Sequence, residues 1–110
     1  MAHPQFQVKT GKDGQFYFNL TAKNGQVILS SEGYKAKDSC EKGIASVKKN
    51  SQDDNRFERR VSKSGDPYFV LTATNGQEIG RSEMYKTKDA MENGINSVMT
   101  NAPVAGTNYI

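Results

Sequence analysis

Residues 20–28 read Leu-Thr-Ala-Lys-Asn-Gly-Gln-Val-Ile, and residues 71–79 repeat them as Leu-Thr-Ala-Thr-Asn-Gly-Gln-Glu-Ile. Adding 51 to a residue number carries residues 6–50 onto residues 57–101 without a gap. Of these 45 aligned positions, 24 are identical. Chance does not produce this much identity in an ungapped comparison, so the chain is a tandem duplication, and any fold must accommodate two copies of one unit.

The Asn-Gly pairs inside these stretches predict β-hairpins. A two-residue turn of type I′ needs positive φ at both central positions, and Asn24-Gly25 and Asn75-Gly76 meet that need at low steric cost. The flanking residues alternate between apolar and polar, as in a strand with one buried face. A short extended run at the start of each repeat predicts a third strand. The predicted strands are residues 6–9, 17–22 and 26–30, and residues 57–60, 68–73 and 77–81.

Each repeat then predicts an amphipathic helix. The apolar spacing i, i+4, i+7, typical of a helix laid on a sheet, occurs at Cys40, Ile44 and Val47 and again at Met91, Ile95 and Val98. Thr87 can cap the second helix through its hydroxyl. Gly43 and Gly94 are unfavourable inside helices, so their retention in both copies indicates the close approach of another backbone, such as the partner helix.

The connections between strand and helix carry two more repeated features. Tyr34 and Tyr85 precede the helices and are predicted to act as hydrophobic staples at helix entry, with an exposed contact role as the alternative. The pairs Ser31-Glu32 and Ser82-Glu83 are predicted to hydrogen-bond the connection; without a histidine they make no catalytic triad.

A longer block identifies a resemblance. Ser31-Glu32-Gly33-Tyr34-Lys35-Ala36-Lys37-Asp38 is echoed at residues 82–89, with Asn-Gly-Gln-x-Ile upstream and Gly-Ile-x-Ser-Val downstream. With these motifs, the chain from Phe6 to Asn101 resembles the YegP-like family of small bacterial tandem-repeat proteins. The resemblance implies an α+β fold of two similar strand-and-helix repeats. The family is functionally uncharacterised, so it implies no catalytic or binding residues.

The predicted fold is therefore α+β, with residues 1–110 as a single domain. Two tandem strand-strand-strand-helix repeats, residues 6–50 and 57–101, pack around a pseudo-two-fold axis with antiparallel sheet. A unit of 45 residues buries too little apolar surface to be stable alone, which favours a shared core. Residues 102–110 show no periodicity and are predicted to form a loose tail.

The residue inventory argues against an enzyme, a metal protein or a cofactor protein. His3 is the one histidine and Cys40 the one cysteine, so no paired ligand spacing for a transition metal exists. Cys40 lies on the apolar stripe where Met91 stands in the other repeat, which favours core packing over a nucleophile. We therefore predict no catalytic residues, no cofactor and no metal site.

The N-terminus, the apolar runs and the cysteine count indicate where the protein resides. The N-terminus has no secretory signal, and no apolar run approaches the roughly 20 residues that cross a bilayer. With a single cysteine, these features predict a cytoplasmic protein without a membrane partner.

Residues 1–51 carry eight lysines against four acids, a net +4, whereas residues 52–110 carry seven basic and eight acidic residues, a net −1. This excess only weakly indicates an anionic partner.

Two functional hypotheses remain. The leading one is a small non-enzymatic protein that binds another protein through its strand surface or edge, with self-association left open. The alternative is weak, sequence-tolerant nucleic-acid binding by tyrosines that face away from the core beside lysines. A competing interpretation packs the tyrosines against the other repeat and leaves the lysines to solvate the surface. The predicted interaction surface is Tyr17, Tyr68, Lys12, Lys63, Lys35 and Lys86.

Overall fold

Two layers make up the structure, a computed structural model that describes residues 3–110. The strands are β1 (Gln5–Thr10), β2 (Phe16–Thr21), β3 (Val27–Ser30), β4 (Phe57–Val61), β5 (Pro67–Thr72), β6 (Glu78–Arg81) and β7 (Gly106–Tyr109). The helices are α1 (Lys37–Asn50) and α2 (Lys88–Asn101), and short 3-10 helices span Asp54–Arg56 and Ala102–Val104. The predicted α+β class with two strand-strand-strand-helix repeats is confirmed.

The strands form one sheet in the order β4-β5-β6-β3-β2-β1-β7. Each repeat supplies its own antiparallel meander, so neither repeat lends a strand to the other meander. The meanders meet at the β3–β6 junction, where the one registered pair is Ser30 opposite Arg81. These residues are 51 positions apart, so the pseudo-two-fold axis passes between them. The junction is therefore a short seam, and the shared core must supply most of the attachment between the repeats.

Next to this seam, equivalent residues of the two repeats face each other on the helix side of the sheet. Leu29 is fully buried, and a Cβ added to its equivalent, Gly80, would lie 2.6 Å from the Leu29 side chain. The axis therefore has room for one large side chain at this level. The two repeats meet this limit because one copy has leucine at this position and the other has glycine.

The hairpin loops differ from the predicted type. The Gly25 N–H donates to the Ala22 carbonyl, and the Ala22 N–H donates to the Gln26 carbonyl, both at 2.9 Å. Gly25 has a φ of 81°. Every residue with positive φ in the described chain is a glycine, so Asn24 does not have it. The turn is thus a three-residue loop ending in a left-handed glycine. The two-residue type I′ prediction is wrong, because that turn needs positive φ at Asn24. The Asn24 side chain instead accepts the Gln26 N–H at 2.9 Å. The predicted antiparallel pairing is confirmed.

One face of the sheet and both helices enclose the hydrophobic core. Phe6, Phe18, Phe69 and the apolar stripe of each helix belong to a single buried cluster. Helix α1 packs on β2 and also on β5 and β6, while α2 packs on β5 and on β3. Each helix thus rests on strands of both repeats, as the small size of one unit requires.

The helix glycines have a different cause from the predicted one. A Cβ on Gly43 or Gly94 would lie 2.4 Å or 2.2 Å from the hydroxyl of Tyr34 or Tyr85, respectively. The close neighbour is therefore a side chain and not a backbone, so the predicted approach of the partner helix is wrong. Both tyrosines are half-buried and stack on core phenylalanines, with ring centroids 6.1 and 6.3 Å apart. The tyrosines therefore pack against their helices and are not the exposed contact residues of the alternative, but their neighbour in each helix is the glycine and not the fourth helical residue that a staple contacts.

The predicted loose tail is wrong. Residues 106–109 form β7, which pairs in parallel with β1, and the Ile110 N–H donates to the Val8 carbonyl at 2.9 Å. The four residues of β7 are exposed, so the segment has no apolar pattern for sequence reasoning to find. Backbone pairing and contacts with α1 fix it instead.

Candidate functional site

No described helix packs on the sheet face opposite α1 and α2, which is called here the open face. Strand alternation decides which side chains lie on it, since their neighbours along each strand enter the core. Tyr17 and Tyr68 are confirmed to point away from Phe18 and Phe69 and are half-buried. The accessible side chains that matter most on the open face are Tyr17, Asn19, Arg60, Tyr68 and Arg81, whereas Val70 on the same face is fully buried.

Tyr17 is held by its own repeat. Its hydroxyl donates to the Asp13 carboxylate at 2.6 Å, and this bond raises the pKa of Tyr17. The ring covers the backbone of two glycines, because a Cβ on Gly11 or Gly33 would lie 2.7 or 3.0 Å from it. Tyr17 thus clamps the β1–β2 turn. These neighbours all belong to the same repeat as Tyr17, whereas the competing interpretation placed the tyrosine against the other repeat.

Tyr68 has a different environment. The Arg81 guanidinium lies over its ring at 5.5 Å from the centroid, and Arg60 is its registered neighbour on β4. The residues that would match Gly11 and Asp13 are serines, so the turn clamp is missing here. Met84 stands at the position equivalent to Gly33, where an added Cβ would meet the Tyr17 ring, and it is 47% exposed. We call Tyr68, Arg60, Arg81 and Met84 the Tyr68 cluster.

Ion pairs hold both arginines of this cluster. Arg60 bonds Glu58 at 2.9 Å and Arg81 bonds Glu78 at 3.1 Å, which raises the pKa of both guanidinium groups. Every arginine of the chain has a carboxylate partner, whereas no lysine ammonium group of residues 3–110 lies within 4.0 Å of one. The unpaired positive charge therefore resides on lysines, eight of which lie in residues 1–51.

The predicted lysines are exposed but lie in separate places. Lys12 and Lys63 occupy the β1–β2 and β4–β5 turns, and Lys35 and Lys86 the connections into the helices. Lys12 and Tyr17 line one shallow depression of about 470 Å³, together with Lys9. Sequence reasoning omitted Arg81 and Met84 from the surface. Arg81 could have been placed there by extending the strand alternation of β6 to its last residue.

The strand-to-helix serines serve the fold, as predicted. Ser31 Oγ accepts the Phe18 N–H at 2.9 Å and donates to the Glu32 carbonyl at 2.8 Å. Ser82 makes the same two bonds, to the Phe69 N–H at 3.0 Å and to the Glu83 carbonyl at 2.9 Å. Both hydroxyl protons are therefore engaged with the backbone, which leaves neither serine poised as a nucleophile.

The remaining candidates for chemistry are also structural. Cys40 is fully buried in the core cluster, as predicted, and burial raises the pKa of its thiol. Within residues 3–110, no three side chains of His, Cys, Asp or Glu lie together as metal ligands would. Neither described helix has the length and apolar character that a bilayer crossing requires.

The two outer edges of the sheet are built differently. At the β1 edge, β7 is fixed by Tyr109, whose hydroxyl donates to Glu41 on α1 and whose ring lies 4.4 Å from the Lys37 ammonium group. At the β4 edge, Arg59 bonds Glu92 on α2 at 2.7 Å and Asp54 at 2.9 Å. Sequence reasoning missed both arrangements, because each joins residues far apart in the chain.

We expect Tyr109 to ionise near pH 12, because its bond to the Glu41 carboxylate favours the neutral phenol and raises the pKa to about 12. Since the ordinary pKa is 10.0, the contact stabilises β7 below pH 10 and is lost as the pH rises through 12. NMR titration of the tyrosine rings measures this. In the Glu41→Gln variant the Tyr109 pKa should return toward its ordinary value, and an unchanged pKa there would contradict the assignment.

Comparison with known proteins identifies the family to which the chain belongs. The family described as "Domain of unknown function (DUF1508)" matches residues 12–58 and again residues 62–108. A UPF0339 protein of Mannheimia succiniciproducens is 57% identical over 102 residues, covering 93% of this chain and 90% of that protein. The UPF0339 protein YegP of Yersinia pestis is 50% identical over 101 residues, covering 92% and 90%.

Two solved structures share the fold. The solution NMR structure of yegP from E. coli, a protein of unknown function, has a TM-score of 0.93 at 42% identity and covers 99% of this chain and 94% of its own. A UPF0339 protein from Shewanella oneidensis gives 0.91 at 40% identity, covering 96% and 90%. None of these names assigns an enzymatic activity. The resemblance drawn from the repeated block is thus confirmed, and the chain belongs to the DUF1508 family, whose unit it carries twice.

Proposed function

We propose that the protein is a non-enzymatic module that binds another protein on the open face, at the Tyr68 cluster. The observation that carries the proposal is the arrangement of half-buried Tyr68 and Arg60 beside exposed Arg81 and Met84, on a sheet face that no described helix covers. Tyrosine and arginine dominate interface hot spots, and methionine adapts to varied apolar surfaces. The cytoplasm, with its reducing conditions, suits the single unpaired cysteine.

The charge arrangement favours a protein over a nucleic acid as the partner. Phosphate binding depends on cations that can neutralise the backbone. Here Glu58 and Glu78 already neutralise the two arginines beside Tyr68. The Tyr17 side of the face keeps free lysines, yet its tyrosine hydroxyl is committed to Asp13. The neutral Tyr68 cluster, with its aromatic ring and paired guanidinium groups, suits the mixed surface of a folded partner.

The partner can be identified by a photo-reactive amino acid introduced at Met84, which leaves the ring of Tyr68 intact. The same probe at Lys42, exposed on α1, is the control. We expect one protein to be cross-linked in native extract from position 84 and not from position 42, with nuclease present. Cross-linking only to nucleic acid, or equally from both positions, would contradict the proposal.

With that partner purified, Tyr68→Ala should weaken binding at least about tenfold, as loss of a hot-spot residue of 1.4 kcal/mol or more does. Tyr17→Ala is the matched control, because it removes the same side chain from the other repeat, and it should change the affinity less than about threefold. Isothermal titration calorimetry measures both. Arg81→Ser, which introduces the residue of the equivalent position 30, provides a second variant should Tyr68→Ala fold poorly.

A further inference from the structure

The two outer edge strands are equivalent, but only one is covered in residues 3–110. In β1, the Val8 carbonyl points away from β2 and accepts the Ile110 N–H from the β7 end. Strand β4 keeps the same register against β5, since Arg60 opposes Tyr68 as Lys9 opposes Tyr17. The Arg59 carbonyl, equivalent to that of Val8, therefore points outward, and the sheet ends there.

The helix beside the uncovered edge keeps the residues that fix a tyrosine at the other edge. On α1, Lys37 and Glu41 bind the ring and the hydroxyl of Tyr109. Their equivalents on α2 are Lys88 and Glu92, which are identical in type and in spacing. Glu92 lies beside β4, because it bonds Arg59 of that strand at 2.7 Å. The β4 edge thus has both parts of the β1 acceptor: an unpaired strand and a lysine–glutamate pair.

Arg59 is the one clear difference between the edges. It stands where β1 has Val8, and its guanidinium holds both carboxylate oxygens of Glu92, at 2.7 and 3.0 Å. It also donates to the outward Phe57 carbonyl at 3.4 Å. A charged side chain of this kind protects an exposed strand from unwanted pairing. Arg59 therefore occupies the place of a tyrosine hydroxyl and must move before a strand can add.

We propose that the β4 edge is a second acceptor, which binds an extended, tyrosine-bearing segment of a partner protein. The segment adds in parallel to β4, places its tyrosine opposite Arg59, donates the hydroxyl to Glu92 and sets the ring beside Lys88. Main-chain hydrogen bonds supply affinity and the tyrosine supplies selectivity, as in other strand-addition complexes. This goes beyond the proposed function, because it assigns a segment of stated chemistry to a surface distinct from the Tyr68 cluster.

The chain's own C-terminal segment provides the probe. A synthetic peptide Ala-Gly-Thr-Asn-Tyr-Ile, matching residues 105–110, is titrated into the 15N-labelled full-length protein, where β7 already covers β1. We expect amide shifts in β4 at Phe57, Arg59 and Val61, and affinity that falls at least about tenfold when alanine replaces the peptide tyrosine. Shifts confined to β1 and β7, or none at all, would overturn the proposal.

Two variants sharpen the test. Arg59→Val, which gives β4 the residue of β1, frees Glu92 and should tighten peptide binding at least about tenfold; adding Glu92→Gln should abolish this gain. No gain from Arg59→Val would refute the role of Glu92. Sedimentation of Arg59→Val alone should show a monomer; a concentration-dependent dimer would overturn the proposal of a partner protein, because the occupant would then be a second copy of this chain. Tyr68→Ala should leave peptide binding unchanged, which separates this proposal from the open-face one.

Discussion

Replacing Gly80 by leucine should lower the free energy of unfolding by about 3 kcal/mol, at the upper end of the usual cost of overpacking. The variant makes the two repeats identical at the level of Leu29, where even a Cβ would lie 2.6 Å from the Leu29 side chain. Leu29 is fully buried at the seam, so it has little room to move aside. Urea denaturation followed by circular dichroism measures the loss.

The exchange variant, Leu29→Gly with Gly80→Leu, is the matched control. It restores one large and one small side chain at the axis and should recover at least about half of the lost stability, because coupled neighbours are not additive. A Gly80→Leu protein as stable as wild type would show that the seam can expand, and would refute the crowding at the axis. An exchange variant no better than Gly80→Leu would show that the two halves are not interchangeable there.

Replacing Gly94 by alanine should also destabilise the protein, by about 2 kcal/mol, although alanine favours a helix interior by about 1 kcal/mol. The added methyl would lie 2.2 Å from the Tyr85 hydroxyl and must displace a ring that stacks on Phe69. Asn93→Ala, at the neighbouring exposed position of α2, is the control and should be neutral or slightly stabilising.

A double-mutant cycle identifies the cause of that loss. In a Tyr85→Phe background the hydroxyl is gone, so Gly94→Ala should cost less, with a coupling energy of at least about 1 kcal/mol. The same cycle at Gly43 and Tyr34 should give a similar value, since that contact is nearly identical. An absence of coupling at both sites would mean that the glycines have another role.

Local and repeated signals were enough to predict most of the fold. Apolar alternation, the Asn-Gly turns and the i, i+4, i+7 stripes act over a few residues and specify strands, loops and helices. Thr87 caps its helix by accepting the Ala90 N–H at 3.0 Å, as predicted. The duplication then required the two units to share a core.

Contacts between distant residues were beyond the same reasoning. Strand β7 depends on Tyr109 reaching Glu41, and nothing in the composition of residues 106–109 indicates that contact. A glycine inside a helix shows that something lies close, but sequence alone could not separate a tyrosine hydroxyl from a backbone. Likewise, the alternation placed Tyr17 and Tyr68 on the open face, whereas their different neighbours, Asp13 and Arg81, emerge only in three dimensions.

The pairs that face each other across the axis also bear on how such a protein can originate. Two separate copies of one repeat, assembled around a true two-fold axis, would set each axial residue against itself. Leucine would then collide with leucine, and glycine opposite glycine would leave a void, whereas this chain pairs Leu29 with Gly80 and Ser30 with Arg81. Covalent fusion removes that restriction, because each half can mutate alone. The same freedom lets an inherited symmetric framework carry one strand-covered edge and one edge guarded by Arg59.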